Sequence, residues 1–187
     1  VYRLTGNMNS TDFSDASRGG LLNLRTRDYD YDMLAQLGLD AEKFPVLQSG
    51  CSIAGRLTEE AAYHLGLRAG IPVSVGGGSG ACESVGAGIA EDGMYDMSLD
   101  TSAWIAGQRR APFFDEKRRV GHISGLDGES FCVFGAMRCA GKAVNWAQKL
   151  FEVGSPRAFD AAASNVAPGA EGLIFLPYLE GERSPVC

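Results

Sequence analysis

The apolar and polar positions alternate between two periods along this chain. Ile71-Pro-Val-Ser-Val75 is a short β-branched run that meets three glycines, Gly76 to Gly78, and small residues at helical spacing follow. That order predicts a strand at 71–75, a tight turn, and a helix over about 80–90. Upstream, residues 1–27 are polar and glycine-rich and read as a loop followed by a short extended or helical piece. Asp30 can cap a helix that Gly38 stops near Leu37. Thr58 can cap a helix from Glu59 to Leu65, with two acids at its positive end and Gly66 as terminator. Downstream, Met94 to Gly107 predicts strand, a Thr-Ser turn and more strand. Gln108 to Arg119 is a polar loop, and Gly121 to Phe134 alternates around Asp127-Gly128, a hairpin signal. Apolar residues at 140, 143, 144, 147, 150 and 151 form one helical face. A helix over Arg157 to Val166 and a buried strand over Leu173 to Leu179 complete the pattern. Strands mixed with helices predict an α/β chain made of two part-domains, 1–92 and 93–187, meeting at the Glu91-Asp92-Gly93 turn.

Composition narrows the class. The chain has 187 residues, 45% of them hydrophobic and 21% charged, with a formal net charge of −6. Arg109-Arg110 and Lys117-Arg118-Arg119 are too short for a nucleic-acid footprint and read as solvated loop. No apolar run approaches the roughly 18 residues of a membrane span, and Val1 to Gly6 has no signal-peptide character. Cys51, Cys82, Cys132, Cys139 and Cys187 are widely spaced with no C-x-x-C pair, which fits free thiols in a reducing cytoplasm. The sequence opens without Met and closes on Gly181-Glu-Arg-Ser-Pro-Val-Cys187, so a cut at both ends is expected.

Candidate chemistry centres on the glycine turn. Missing Cβ atoms let a ligand approach the backbone, and a helix start carries partial positive charge. The plainer alternative is a turn with Ser79 as an ordinary N-cap. Gly76-x-Gly78-x-x-Ala81 loosely fits a dinucleotide fingerprint, and Gly77-Gly78-Ser79-Gly80-Ala81 loosely fits a hydrolase nucleophile elbow. The elbow would draw on Asp96, Asp100 or Asp115 and on His122. In Met97 to Trp104, Thr101 and Ser102 can donate to phosphate oxygens; alternatively Asp100 simply closes an Asx turn. Gly141 would open a helix closely approached by another group, with Asn145 one turn on. Glu182-Arg183 reads as an ion pair or a polar contact near a site mouth.

Five motifs in register resemble the FGGY carbohydrate kinase family, nearest to its xylulokinases. They are Leu4-Thr-Gly6 with Thr11-Asp-Phe-Ser-Asp-Ala-Ser17, Pro72 to Gly88, Ser98 to Ser102, Ala140-Gly141 with Asn145-Trp146, and Phe175-Leu-Pro-Tyr-Leu-x-Gly-Glu-Arg-x-Pro185. The resemblance covers essentially the whole chain. It implies a ribonuclease-H-like, actin- and hexokinase-like fold. Residues 1–92 would be the end of the N-terminal domain and 93–187 the start of the C-terminal one, with the active-site cleft between them.

The implied reaction is transfer of the ATP γ-phosphate, with Mg²⁺, to a sugar hydroxyl, in the cytoplasm. The position of the family's catalytic aspartate is Ser79, flanked by Gly78 and Gly80 at sugar-binding positions. Asp100, Thr101, Ser102, Gly141 and Asn145 fall at nucleotide-binding positions. Serine is not a base at pH 7, and losing a general base costs on the order of 10² to 10⁴ in rate. Asp100 replaces the family's usual glycine, so a cation must stand between it and phosphate. Glu83 lies one turn beyond Ser79. A polypeptide confined to these residues is expected to lack kinase activity. The alternatives are a degenerate family member that binds sugar, nucleotide or a partner without turnover, and a serine hydrolase using Ser79. Half-domains expose strand edges, so self-association or pairing with the rest of a kinase is expected.

Overall fold

The computed structural model describes residues 1–184; Pro185 of the last motif and Cys187 lie outside them. The chain forms two compact units. The first comprises Val1–Asp96, Ala106–Phe114 and Gly121–Val133; the second comprises Met97–Ile105, Asp115–Val120 and the described residues from Phe134 on.

The first unit begins with helix α1 (Tyr2–Thr5), strand β1 (Ser10–Asp12) and helix α2 (Phe13–Arg18), where the sequence predicts a loop followed by a short extended or helical piece. The helix exists because Asp12 caps it, accepting from the backbone N–H groups of Ser14 and Asp15. Strands β2 (Leu22–Asn23) and β3 (Asp28–Tyr29) pair antiparallel, and helix α3 (Tyr31–Gln36) starts at its Asp30 cap. Strand β4 (Val46–Gln48) pairs parallel to β1, in the register Thr11 to Leu47. Strand β5 (Ile53–Arg56) leads into helix α4 (Glu59–Leu65), which has the expected boundaries. Thr58 accepts from the Ala61 N–H, and Gly66 ends the helix at φ 66°. Leu57, Ala61 and Ala62 form a buried cluster against which Leu4 and Val73 pack.

Strand β6 (Pro72–Ser74) pairs with β5, and helix α5 (Ser79–Gly86) follows the glycine turn. The helix stops short of residue 90; Gly88 adopts φ 87°, which L side chains rarely take. Beyond it come β7 (Tyr95–Leu99), β8 (Ala103–Arg109), β9 (Gly121–Ser124) and β10 (Phe131–Met137), hydrogen-bonded in the order β7-β8-β10-β9. Both expected hairpins are present. Arg109 ends a strand rather than lying in the loop, and its Nε is 3.4 Å from Asp92 Oδ1.

In the second unit, helix α6 (Gly141–Leu150) and helix α7 (Pro156–Ser164) follow the predicted pattern, with Ser155 capping the latter through the Ala158 N–H. The strand expected over Leu173 to Leu179 does not form. Leu173 and Ile174 are 79% and 82% exposed, and the only bridge there joins Leu179 to Gly181. An apolar run becomes a strand only when a ladder partner takes its N–H and C=O groups, and no described strand takes those of Leu173 to Tyr178.

Cys51 and Cys82 are exposed free thiols, while Cys132 and Cys139 are buried. Burial pushes the Cys132 thiol up to about 11. No helix among the described residues is long and apolar enough to cross a membrane.

Replacing Thr58 with Ala removes the cap of α4 beside the Leu57–Ala62 cluster. Urea unfolding should show a loss of about 1 kcal/mol, whereas Glu59→Gln on the exposed first turn should cost a few tenths.

Candidate functional site

The glycine turn is assembled by residues far away in sequence. Asp12 and Ser14 are 2% and 0% exposed. One Asp12 oxygen, Oδ2, accepts from the Ser14 backbone N–H at 2.7 Å and from the Ser14 hydroxyl. Oδ1 accepts from the Asp15 N–H at 3.3 Å. The Ser14 hydroxyl directs its O–H to Asp12, so its lone pairs are free, and it accepts from the Gly78 N–H at 3.0 Å. A buried carboxylate therefore acts through a buried hydroxyl on the backbone of residue 78. Such a chain polarises its own members and fixes the turn. The turn is held from the other side by the Gly76 N–H donating to Gly50 O at 3.0 Å. The Gly50 N–H in turn donates to Leu126 O at 2.7 Å.

The three glycines have separate physical reasons. Gly76 adopts φ 77°. A Cβ on Gly77 would lie 2.0 Å from Leu126 Cδ2 and 3.0 Å from Asp12 Oδ2. One on Gly78 would lie 3.0 Å from Asp15 Oδ1. The chain's own groups stand where those side chains would be.

Ser79 is the first residue of α5 and not its cap. Gly78 holds the cap position, without a side-chain hydrogen bond. Gly78, whose N–H is taken by Ser14, has non-helical backbone geometry, so the helix starts at Ser79, one residue earlier than a Ser79 cap would start it. Ser79 is exposed, Gly78 buried and Gly80 half-buried. The Cys82 thiol is 3.6 Å from Gly77 O. Three of the groups a hydrolase triad would draw on are engaged elsewhere. Asp96 accepts from Ser84 Oγ at 2.9 Å, Asp115 pairs with Arg119 at 3.0 Å, and the His122 ring meets Phe114 edge-on at 5.4 Å.

In the second unit, the structure brings together two of the other motifs. Asp100, Thr101 and Ser102 form the exposed turn between β7 and β8, closed by the Asp100 N–H donating to Ser102 O at 2.9 Å. This backbone bond, not an Asx turn, defines the loop. The start of α6 docks onto it. Ala140 N and Lys142 N donate to Thr101 O at 3.1 and 3.2 Å, and Gly141 N donates to Asp100 O at 2.8 Å. A Cβ on Gly141 would lie 2.8 Å from Asp100 O, so glycine is what permits the approach. The first N–H groups of α6 are thus committed to the turn's carbonyls, and the exposed Thr101 and Ser102 hydroxyls are the turn's outward donors.

Asn145 is exposed one turn further along α6. Beside it Trp146 stacks on Phe175 at 5.9 Å with the planes 13° apart. The charged turn after Phe175 is pinned to the same region. Lys142 Nζ is 2.5 Å from Glu180 Oε1, and Glu182 accepts the Arg138 and Arg183 backbone N–H groups at 3.0 and 2.8 Å. Glu182 therefore orders the backbone of the motif.

Sequence reasoning quoted Thr11 to Ser17 without assigning Asp12, Ser14 or Asp15 to the glycine turn. The available signal was the pairing of an Asp-x-Ser with a glycine run, but the separation of 64 positions between Ser14 and Gly78 hides it.

Ser14→Ala leaves the Gly78 N–H and one Asp12 lone pair without their partner in the interior, so unfolding free energy should fall by about 1–3 kcal/mol. Gly141→Ala drives a methyl group into the Asp100 carbonyl and should cost a similar amount, about 1–3 kcal/mol, through overpacking. Urea titration measures both, and a change below 0.5 kcal/mol (roughly the level of a neutral surface substitution) contradicts the geometry.

Residues 1–86 match the FGGY family of carbohydrate kinases, N-terminal domain. The xylulose kinase of Escherichia coli (strain K12) is 32% identical over 98% of this chain. The crystal structures of ligand-bound xylulose kinase and of gluconate kinase from Lactobacillus acidophilus each superpose with a TM-score of 0.89, at 28% identity over 98% of this chain. The chain spans 37% of the length of each of these relatives. With its motifs in register over nearly its whole length, the chain belongs to the FGGY family of carbohydrate kinases and carries a portion of that family's actin- and hexokinase-like α/β fold.

Proposed function

We propose that this chain is the central part of a cytoplasmic sugar kinase that transfers the γ-phosphate of ATP to a hydroxyl of a ketopentose such as xylulose. Residues 1–92 then belong to the end of the N-terminal domain and 93–187 to the start of the C-terminal domain, and the rest of a kinase chain, or a second copy, is the expected partner. The observation that carries the reading is the pair of prepared backbone turns, one in each unit. The first ends at Ser79 and is fixed by Asp12 and Ser14. The second ends at Ser102 and is fixed by the start of α6.

Each turn suits one reactant. The first presents Gly78, Ser79 and Gly80, small residues against which a polyhydroxylated substrate can lie. The second presents the Thr101 and Ser102 hydroxyls, which suit phosphate oxygens. Gly141 supports the turn from beneath, and Asn145 lies one turn along toward the nucleotide position. Among the described residues no three His, Cys, Asp or Glu side chains come together as a metal site. Mg²⁺ needs no such cluster, being commonly held by one or two carboxylates together with substrate phosphates and water. Asp100 is the carboxylate at hand, and a cation beside it removes its repulsion of phosphate. When bound, Mg²⁺ supplies charge neutralisation on the transferring phosphate.

A second reading has its own observation. Ser79 is exposed and stands where the family has its proton acceptor, so a member that binds without turnover is the competing function.

A coupled ADP-release assay on the complete natural polypeptide, with ATP, Mg²⁺ and D-xylulose, separates the two. The kinase reading expects sugar-dependent ADP formation. Calorimetric binding of sugar or ATP without ADP release, together with a gain of 10²-fold or more in the Ser79→Asp variant, establishes the non-catalytic reading instead.

A further inference from the structure

We propose that Asp15 supplies the carboxylate that accepts the sugar proton, in place of residue 79; this rests on the kinase reading above. Three carboxylates lie near the glycine turn. Asp12 is buried, and both its oxygens are engaged by Ser14 and the Asp15 N–H. It is committed to structure. Glu83 is four residues along α5 from Ser79, a rise of about 6 Å, and it is exposed.

Asp15 differs from both. Its Oδ1 lies 3.0 Å, and its Cγ 3.8 Å, from the point where a Cβ of Gly78 would stand. It therefore sits against the backbone of the residue that precedes Ser79. Its own backbone is held by Asp12 through the first turn of α2. The side chain is exposed, so its oxygens are open to the space beside the turn. Residues 78 to 80 carry nothing larger than a hydroxymethyl group, which leaves that space open to a substrate hydroxyl.

The sugar O–H bond breaks and its proton passes to an Asp15 oxygen. The sugar oxygen bonds to the γ-phosphorus of the nucleoside triphosphate. The bond from that phosphorus to the β,γ-bridging oxygen breaks, and the nucleoside diphosphate leaves with the electron pair. Asp15 later returns the proton to water. Asp12 and Ser14 act as positioning residues, because the same hydrogen-bond chain that fixes Gly78 also fixes the turn of helix bearing Asp15.

The test uses the complete natural polypeptide with ATP, Mg²⁺ and D-xylulose, and ADP release is measured across the acid side of the pH profile. Asp15→Asn should lower kcat by about 10² to 10⁴, leave KM for ATP within threefold, and abolish the rise of kcat/KM with pH. Asp15→Glu should keep part of the activity. Adding Ser79→Asp to Asp15→Asn should raise kcat at least tenfold over the single variant, which shows that the single variant is folded and lacks only a base. An Asp15→Asn enzyme within threefold of the parent, with its pH rise intact, overturns the proposal and leaves the kinase reading standing. A parent that releases no ADP overturns the kinase reading and this proposal with it.

Discussion

A buried carboxylate organises the first unit. Removing Asp12 from water is costly unless its lone pairs are met, and they are met within one helical turn by two backbone N–H groups and the Ser14 hydroxyl. Satisfying Asp12 creates α2, orients Ser14, and leaves Ser14 able to accept only from outside its own helix. The donor it finds is Gly78. The position of the glycine turn, the start of α5 and the exposure of Ser79 follow from that one contact. The same segment is tied to β9, where Ser124 N–H donates to Ser17 Oγ at 3.1 Å, and Phe13 packs against Gly128, which sits at φ 78°.

The second unit depends on a different kind of constraint, a close backbone approach. Helix α6 satisfies its first N–H groups with the carbonyls of the turn between β7 and β8. A helix start usually recruits a side-chain cap or an anion. Here the turn itself does the capping, which leaves the exposed Thr101 and Ser102 hydroxyls for the phosphate contact proposed above. The Lys142–Glu180 pair adds orientation more than stability, since both side chains are about half exposed and screened by water.

Residue 79, proposed above to stand at the family's proton-accepting position, is a serine, and the fold accounts for how a change there is tolerated. The glycine run is required by packing against Asp12, Ser14, Asp15 and Leu126. None of those contacts involves the side chain of residue 79, which is exposed. The turn can therefore keep its geometry while the residue at its end changes.

Features governed by neighbours three or four residues apart were legible in the sequence. Thr58 and Gly66 bracket α4 because both caps are local hydrogen-bond and φ requirements. The Asp30 cap and the Asp127-Gly128 hairpin succeed for the same reason. The motifs in register also placed the chain in its family. What the sequence could not show depends on partners brought from a distance. Leu173 to Leu179 has the composition of a strand but no ladder partner among the described residues. Phe13 to Arg18 has no helical periodicity and is a helix because a buried Asp12 caps it. Ser79 looks like a cap and is not one, because Ser14 claims the preceding residue. The sequence by itself determined the local caps, the turns and the family. Only tertiary structure decided which carboxylate is buried, which stands against the glycine turn, and why the glycines are there, because those answers rest on hydrogen bonds and contacts spanning tens of residues.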